Sequence, residues 1–217
     1  MNALSVSVGY DDYLALTLPH NLVHFDAMLV VTTSQDQATQ ALVEKWSETH
    51  DVEHYATDAF HKDGAPFNKG LAIEEGFEAL GREGWIMLLD ADTVLPEVLS
   101  PPAEGWREDS LYSPQRRLCD DPGWFTPELE WDTLPYGNEK GIFPFEFAGY
   151  CQLFHASAPN LKTLPWYPGS FPTAQACDSW FYERWPKRKR VRPPFEVLHL
   201  GPTRENWKGR VTPRAGE

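Results

Sequence analysis

The amino-acid sequence predicts an α/β fold, with a mostly parallel β-sheet covered by helices on both faces and a loop-rich second half. Two observations support this prediction. Over residues 1–95, short apolar runs typical of strands alternate with amphipathic segments typical of helices, in the order β, α, β, α, β, α, β. After residue 100 the pattern changes, because most of the 19 prolines lie there and aromatic residues are frequent.

Seven elements are predicted in the first half of the chain. They are, in order, a strand over 4–10, a helix over 13–25, a strand over 27–33, a helix over 34–50, a strand over 52–57, a helix over 67–84 and a strand over 85–89. In the first helix, Pro19 is expected to end or restart the helix, since proline lacks an amide hydrogen. Ser34 or Asp36 fits the N-cap of the second helix, and Gly81 fits the C-cap of the third.

The strand over 85–89 and the residues after it form the most informative stretch. All five residues are apolar, so we expect a strand buried on both faces, as in a parallel sheet covered by helices. Asp90 and Asp92 follow it. Two carboxylates two residues apart at a strand end can bind a divalent cation, but aspartate is also common in turns. The pair alone leaves both interpretations open.

Three elements are predicted in the second half. Residues 146–156 are β-rich and apolar, and a helix is expected to begin near Cys177, with Asp178 as its cap or first-turn acid. Residues 195–201 form a last short strand, which places His199 near a strand end.

Polar residues are expected to gather at one edge of the predicted sheet. In open parallel sheets, ligands bind beyond the carboxyl ends of the strands. The residues predicted at that edge are Tyr10, Asp11, Asp12, Thr32, Thr33, Asp90 and Asp92.

Composition excludes several classes of protein. The 217 residues are enough to bury a core as one domain, and no apolar stretch is long enough to span a bilayer. The N-terminus has no charged leader before its apolar part, so we expect a cytoplasmic protein that does not bind membranes. Cys119, Cys151 and Cys177 are odd in number and widely spaced, and we expect them to be free, buried thiols.

The charge is distributed unevenly along the chain. The formal net charge is −13, yet residues 184–214 carry ten Lys/Arg and two Glu. A basic end on an acidic body indicates contact with phosphate, either of a nucleotide or of a nucleic-acid backbone. The alternative is an ordinary solvated basic surface.

Taken together, these stretches resemble the nucleotide-sugar-dependent glycosyltransferases of the GT-A (Rossmann-like) fold, especially the family 2-like branch with its small bacterial and phage members. The resemblance covers nearly the whole chain, through the stretches VSVGYDDY, MLVVTTSQDQAT, FNKGLAIEEGF, WIMLLDADTVLP, FAGYCQLFH and VLHLGPTRENWKGR. It implies a single GT-A domain over 1–217. Residues 1–100 would form the nucleotide-sugar-binding half, and residues 101–217 the acceptor-binding half with the basic C-terminal segment.

The resemblance also implies roles for individual residues. Asp92 would bind Mn²⁺ or Mg²⁺ together with His199, while Asp90 contacts the ribose or assists the metal. An imidazole among carboxylate ligands favours Mn²⁺. Asp178 would take the proton from the acceptor hydroxyl in an inverting reaction, and would lose that role in a retaining one. The family commonly has an acidic pair at this point, where this sequence has Cys177 followed by Asp178.

The other implied site residues bind the two substrates. For the nucleotide sugar they are Tyr10, Asp12, Thr32, Thr33, Lys69, Asp90, Lys208 and Arg210. For the acceptor they are Tyr150, Gln152, Trp166 and Tyr167, with Trp180 and Trp207 as further aromatic residues that could stack on a sugar or a base.

The function implied is a metal-dependent glycosyltransferase that moves a sugar from a nucleoside-diphosphate sugar, with UDP-sugars expected first, to an acceptor hydroxyl. The acceptor is a hydroxymethylated base in phage DNA, a glycan or a small molecule. Two alternatives stay open, a nucleotidyltransferase and a non-catalytic protein that binds carbohydrate or nucleic acid. A nucleotidyltransferase usually has a glycine-rich loop with basic residues after its first strand, whereas residues 9–16 offer neither.

Overall fold

The computed structural model describes residues 1–137, 149–203 and 205–215 and contains a seven-stranded sheet with the strand order β3-β2-β1-β4-β8-β6-β9. These strands are β1 (Asn2–Val6), β2 (Ala27–Thr32), β3 (Val52–Ala56), β4 (Trp85–Asp90), β6 (Leu111–Tyr112), β8 (Cys151–His155) and β9 (Arg190–Val191). Strands β1 to β4 pair in parallel, β8 is antiparallel to both its neighbours, and β9 is parallel to β6. The predicted mostly parallel sheet is confirmed.

Four α-helices accompany this sheet in the described residues, α1 (Asp11–Asn21), α2 (Gln37–Ser47), α3 (Lys69–Leu80) and α4 (Cys177–Tyr182). Successive residues of β1 point to opposite faces: Ala3 packs in a cluster with α1 and α2, and Leu4 packs in a cluster with α3 and α4. Helices therefore cover both faces, and the predicted α/β fold class is confirmed.

A second, three-stranded sheet has the order β5-β10-β7, with β5 (Thr93–Val94), β7 (Gln115–Cys119) and β10 (Glu196–Leu200). Strand β10 is antiparallel to β5 and parallel to β7. Because β5 begins only three residues after β4 ends, this sheet lies at the carboxyl edge of β4. The amide of Leu200 donates to the carbonyl oxygen of Asp92 at 2.8 Å, which ties the last strand to the end of β4.

Local sequence signals decide several element ends. Asp36, and not Ser34, caps α2, because its side chain accepts a hydrogen bond from the amide of Thr39. Gly81 follows α3 with a φ of 85°, a conformation that favours glycine. The expectation that Pro19 ends or restarts the first helix is wrong, since α1 continues through it to Asn21.

The second half is rich in loops, as predicted. Of the strand expected over 146–156, residues 151–155 form β8, while residues 146–148 lie outside the described residues. The three cysteines are free and buried, as expected. Among the described residues, no helix is long and apolar enough to cross a membrane.

We expect Gly76→Ala to destabilise the protein, although alanine favours a helix interior by about 1 kcal/mol over glycine. Gly76 is buried in α3, and an added Cβ would lie 2.5 Å from Val31 Cγ2 and 2.8 Å from Leu4 Cδ1. Both neighbours are fully buried, and valine is stiff about χ1. Overpacking of this kind costs about 1–3 kcal/mol, measured as the free energy of unfolding in urea. Glu78→Ala, on the exposed face of α3, is the control, and equal stability of the two variants would contradict the packing.

Candidate active site

A cavity of 520 Å³ opens at the carboxyl edge of β4, between the two sheets and the N-terminal ends of α3 and α4. It brings together residues that are far apart in the sequence. Among them are Tyr10, Lys69, Asp90, Asp92, Asp178 and His199. The edge at which the sequence predicts a ligand is therefore the edge at which the cavity lies.

Asp90, the last residue of β4, is held by Lys69. Lys69 is the first residue of α3, and its Nζ lies 2.5 Å from Asp90 Oδ1. Burial lowers the pKa of Lys69, but the adjacent Asp90 carboxylate outweighs this and holds that pKa above its usual value. Lys69 is therefore charged at neutral pH, and one oxygen of Asp90 is already bonded to this cation.

Asp92 and His199 form a second pair in the cavity. His199 is 5% exposed, and its Nε2 lies 3.6 Å from Asp92 Oδ2. Asp92 Oδ1 and His199 Nδ1 are buried and have no hydrogen-bond partner among the described residues. Burial, with the nearby charge of Arg116, lowers the pKa of His199 to about 3. Burial raises the pKa of Asp92 to about 6, against the opposing charges of Lys69 and Arg116.

This pair fits two ligands of a divalent cation. Its free oxygen and nitrogen atoms, on a carboxylate and a neutral imidazole, form a donor set that suits Mn²⁺. Within the described residues, no group of three or more His, Cys, Asp or Glu side chains is arranged to hold a metal ion. A cation here would therefore need further ligands from substrate or water.

Asp178 lines the same cavity, from the first turn of α4. The amide of Gly149 donates to its Oδ2 at 2.7 Å, and the amide of Ser179 donates to its Oδ1 at 2.8 Å. A Cβ at position 149 would lie 2.8 Å from the Cβ of Asp178, so this approach requires glycine. The carboxylate is thus fixed by two backbone amides on the cavity wall.

The other residues expected to bind the nucleotide sugar divide into two groups. Tyr10 and Lys69 line the cavity. Thr32 and Thr33 do not, because they shape the turn between β2 and α2. The hydroxyl of Thr32 donates to Asp36 Oδ2 at 3.1 Å, and the carbonyl oxygen of Thr33 accepts from Gln40 Nε2 at 2.8 Å.

Asp12 and Arg210 bind each other and do not line the cavity. Arg210 Nη2 lies 2.8 Å from Asp12 Oδ2, and the guanidinium stacks over the ring of Tyr10 at 4.7 Å. Lys208 is exposed and also lies outside the cavity lining. Neither basic residue therefore lines the cavity, and Arg210 is engaged by the Asp12 carboxylate, whose side chain is 9% exposed.

We expect Arg210→Gln to destabilise the protein by about 1–3 kcal/mol, since it leaves the Asp12 carboxylate, whose side chain is only 9% exposed, without its cation. Burial raises the pKa of Asp12, but hydrogen bonds from Arg210 and the amide of Ala215 outweigh it and hold that pKa below 3.8. The stabilisation is therefore complete above pH 3.8 and is lost as the pH falls through the lower folded value.

Urea unfolding at several pH values measures this effect. The difference between wild type and Arg210→Gln is expected to be constant near neutral pH and to shrink below about pH 4. Lys208→Gln removes an exposed charge two residues away and is the control. Equal stability of Arg210→Gln and Lys208→Gln at neutral pH would show that the pair contributes nothing.

The residues expected to bind the acceptor also divide. Tyr150 and Tyr167 line the cavity. Gln152 and Trp166 belong to the core: Gln152 Oε1 accepts from the Tyr167 hydroxyl at 2.7 Å, and Trp166 Nε1 donates to the carbonyl of Leu161 at 2.7 Å. Of the two further aromatic residues, Trp207 lines the cavity and is 42% exposed, whereas Trp180 lies outside the lining and stacks on Arg184.

Much of the basic segment 184–192 is engaged within the protein. Arg184 donates to the carbonyl oxygens of Asn160 and Thr163, Lys189 binds Asp109, and Arg190 Nε donates to the carbonyl of Trp185. These contacts hold loops together and use donors of three of the basic residues that were expected to contact phosphate. Lys187 and Arg188 are exposed.

Arg116, which the sequence did not single out, also lines the cavity. It lies on β7 next to Arg117, and nothing in the run QRRLC distinguishes the two arginines. The only available signal is strand alternation, since neighbouring residues point to opposite faces. Arg117 pairs with Glu196 at 2.6 Å, while Arg116 faces the cavity.

The fold is shared with solved structures of very different sequence. Staphylococcus aureus TarS residues 1–349, in complex with UDP, matches with a TM-score of 0.58 and 10% identity over 92% of this chain and 60% of that chain. A putative glucose-1-phosphate thymidylyltransferase from Bacillus anthracis, in complex with sucrose, matches with a TM-score of 0.52 and 11% identity over 90% of this chain and 86% of that chain. No family model and no curated protein matches the sequence.

These likenesses establish the fold. It is the Rossmann-like α/β fold of GT-A and nucleotidyltransferase proteins, with the cavity at the carboxyl edge of its parallel strands.

Proposed function

We propose that the protein is a metal-dependent glycosyltransferase that transfers a sugar from a nucleoside-diphosphate sugar to an acceptor hydroxyl. One observation carries the proposal: the Asp92–His199 pair, with its unpartnered ligand atoms, and the Asp178 carboxylate face the same cavity. Such an enzyme needs a diphosphate site and a proton acceptor together. The likeness to a fold whose solved example contains UDP is consistent with a UDP-sugar donor.

In the proposed reaction, the acceptor hydroxyl attacks the anomeric carbon and passes its proton to Asp178. The bond between the anomeric carbon and the diphosphate oxygen breaks, and its electron pair leaves with the nucleoside diphosphate. Asp178 suits the proton transfer because two backbone amides fix its position. A cation held by Asp92 and His199, Mn²⁺ or Mg²⁺, would supply positive charge to the diphosphate. A single displacement of this kind inverts the anomeric configuration.

Asp90 has a different role in this proposal. Because one of its oxygens is bonded to Lys69, it suits a hydrogen bond to the donor sugar or ribose better than a position in the metal shell. Lys69 holds it in place. Tyr10 offers a ring at the same cavity, beside the end of β1, where the nucleoside can pack.

The second candidate is a nucleotidyltransferase, which the likeness to a putative thymidylyltransferase favours. Such an enzyme must bind a triphosphate beside its first strand. Here residues 7–10 after β1 contain no Lys or Arg, and Asp11 and Asp12 follow. A non-catalytic binding protein would leave the convergence of Asp92, His199 and Asp178 unexplained. We therefore favour the glycosyltransferase.

For the acceptor, a glycan or small molecule and a hydroxymethylated base in DNA both supply the required hydroxyl. The internal contacts of Arg184, Lys189 and Arg190 use donors that a DNA backbone would need, which favours the smaller acceptors. Treating hydroxymethylpyrimidine DNA with enzyme and donors, followed by mass spectrometry of the nucleosides, tests the DNA acceptor. A hexose or pentose adduct would establish it, and no adduct with any donor would exclude it.

The reaction class is tested by two assays run in parallel. In the first, a panel of UDP-, GDP- and dTDP-sugars is incubated with protein and Mn²⁺, and release of nucleoside diphosphate is measured. In the second, nucleoside triphosphates and sugar 1-phosphates are supplied, and release of pyrophosphate is measured. We expect slow diphosphate release, prevented by EDTA. Pyrophosphate release would establish the nucleotidyltransferase, and neither product would refute both.

A further inference from the structure

Arg116 is placed to face the proposed metal pair. In the parallel pairing of β7 and β10, Arg116 lies opposite Val197, and His199 lies two residues further along β10. Residues two apart on a strand share a face, so Arg116 and His199 project to the same side of this sheet. Both line the cavity.

The position of the Arg116 guanidinium is fixed by its neighbours. It stacks on the ring of Tyr150 with its Cζ 4.6 Å from the ring centroid. Gly137 leaves room for it, since a Cβ there would lie 2.6 Å from Arg116 Nε. The stacking fixes the plane of the guanidinium and leaves its donors directed along its edges.

Unlike Lys69 and Arg210, Arg116 forms no ion pair with a described residue. Among the described residues, Lys69 pairs with Asp90 and Arg210 pairs with Asp12, but no carboxylate lies within 4.0 Å of the Arg116 guanidinium. Its Nε is buried without a hydrogen-bond partner in that part of the chain. A buried donor without a partner is costly, which points to a ligand that supplies the acceptor.

The charge of the cavity indicates which ligand this is. Apart from the Lys69–Asp90 ion pair, the described residues of the wall include three carboxylates, those of Asp92, Asp178 and Glu205, and one basic side chain, that of Arg116. A nucleotide-sugar diphosphate adds negative charge, which grows as the sugar leaves. Arg116 is the cation in the described part of the wall that is free to offset this charge. We therefore expect it to contact the diphosphate and not a negatively charged acceptor, which would add still more negative charge.

We infer that Arg116 binds the terminal phosphate of the donor diphosphate and stabilises the nucleoside diphosphate as it leaves. This inference rests on the proposed function. The electron pair of the broken bond goes to an oxygen of that phosphate, and the acceptor proton goes to Asp178. Arg116 thus performs the role that the family resemblance implies for Lys208 and Arg210.

Calorimetric titration of the full chain in Mn²⁺ with UDP and with UMP tests the inference, with GDP and dTDP and their monophosphates as further probes. Arg116→Gln is expected to weaken UDP binding by about 10- to 100-fold and to leave UMP binding unchanged. UDP release from the UDP-sugar is expected to fall by at least the same factor. Arg116→Lys, which keeps the charge but not the planar fork, is expected to lose less.

Arg188→Gln, at an exposed arginine, is the matched control and is expected to behave as wild type. Thermal unfolding checks that each variant is folded. If Arg116→Gln does not fold, the inference is tested with Arg116→Lys alone. Unchanged UDP affinity and turnover in both Arg116 variants, with an active wild type, overturns the inference and leaves the proposed function standing. Equal loss of UDP and UMP binding also overturns it. A wild type that binds no diphosphate and releases none overturns both.

Discussion

Asp178→Asn is expected to lower the rate of sugar transfer by about 10²–10⁴-fold, the range that general base catalysis contributes. Asparagine has nearly the same shape, and its side-chain oxygen can still accept the hydrogen bond that Asp178 Oδ2 takes from the amide of Gly149. It cannot accept a proton from the acceptor. The affinity for nucleoside diphosphate in Mn²⁺ is therefore expected to stay at the wild-type value.

Two measurements separate this role from a structural one. Turnover is followed as diphosphate release in the presence of acceptor, and the dissociation constant of the diphosphate is measured by calorimetry. Glu97→Gln, an exposed substitution of the same chemistry, is expected to change neither. An Asp178→Asn enzyme with full turnover would remove this residue from the mechanism.

Asp92→Ala is expected to abolish the dependence of nucleotide binding on Mn²⁺ and to reduce turnover by at least about a hundredfold, because a bound cation contributes several kcal/mol to transition-state stabilisation. Asp92 Oδ1 is buried without a hydrogen-bond partner among the described residues, so no protein contact of that atom is lost. The protein is expected to fold. Removing a carboxylate that has one buried oxygen without a hydrogen-bond partner is even expected to favour folding in the absence of metal.

The readout for Asp92→Ala is the difference between UDP titrations with Mn²⁺ and with EDTA. In the wild type we expect a large difference, and in Asp92→Ala none. Asp51→Ala, an exposed aspartate just before β3, is expected to keep the difference. If Asp92→Ala still bound UDP more tightly in Mn²⁺ than in EDTA, the metal would be held elsewhere.

The central sheet could be predicted from the sequence because its signals are local. Residues 27–31 and 85–89 are continuous apolar runs, and such runs are buried in whichever parallel sheet they join. Helix ends that depend on one side chain, such as the Asp36 cap of α2, could also be predicted from the sequence. The continuation of α1 through Pro19 could not be predicted, because tertiary packing holds the helix together despite the missing amide hydrogen.

The arrangement of the site could be predicted only in part. The sequence shows which residues can act chemically, such as Asp90, Asp92 and Asp178. Which charged side chains pair with each other depends on contacts between residues that are distant in the sequence. Arg210 meets Asp12 across 198 positions, and Arg116 differs from Arg117 only in the face of β7 that it occupies. No local pattern encodes such pairings, since they follow from how the second sheet docks on the first.

A crystal structure of the wild type with Mn²⁺ and UDP, with anomalous diffraction to locate the manganese, tests the central claim most directly. We expect a manganese peak within coordination distance of Asp92 and His199, and the terminal phosphate of UDP between that peak and Arg116. The uridine is expected on the Tyr10 side of the cavity. A nucleotide bound outside this cavity, or a manganese ion with neither Asp92 nor His199 as a ligand, would contradict the proposed site.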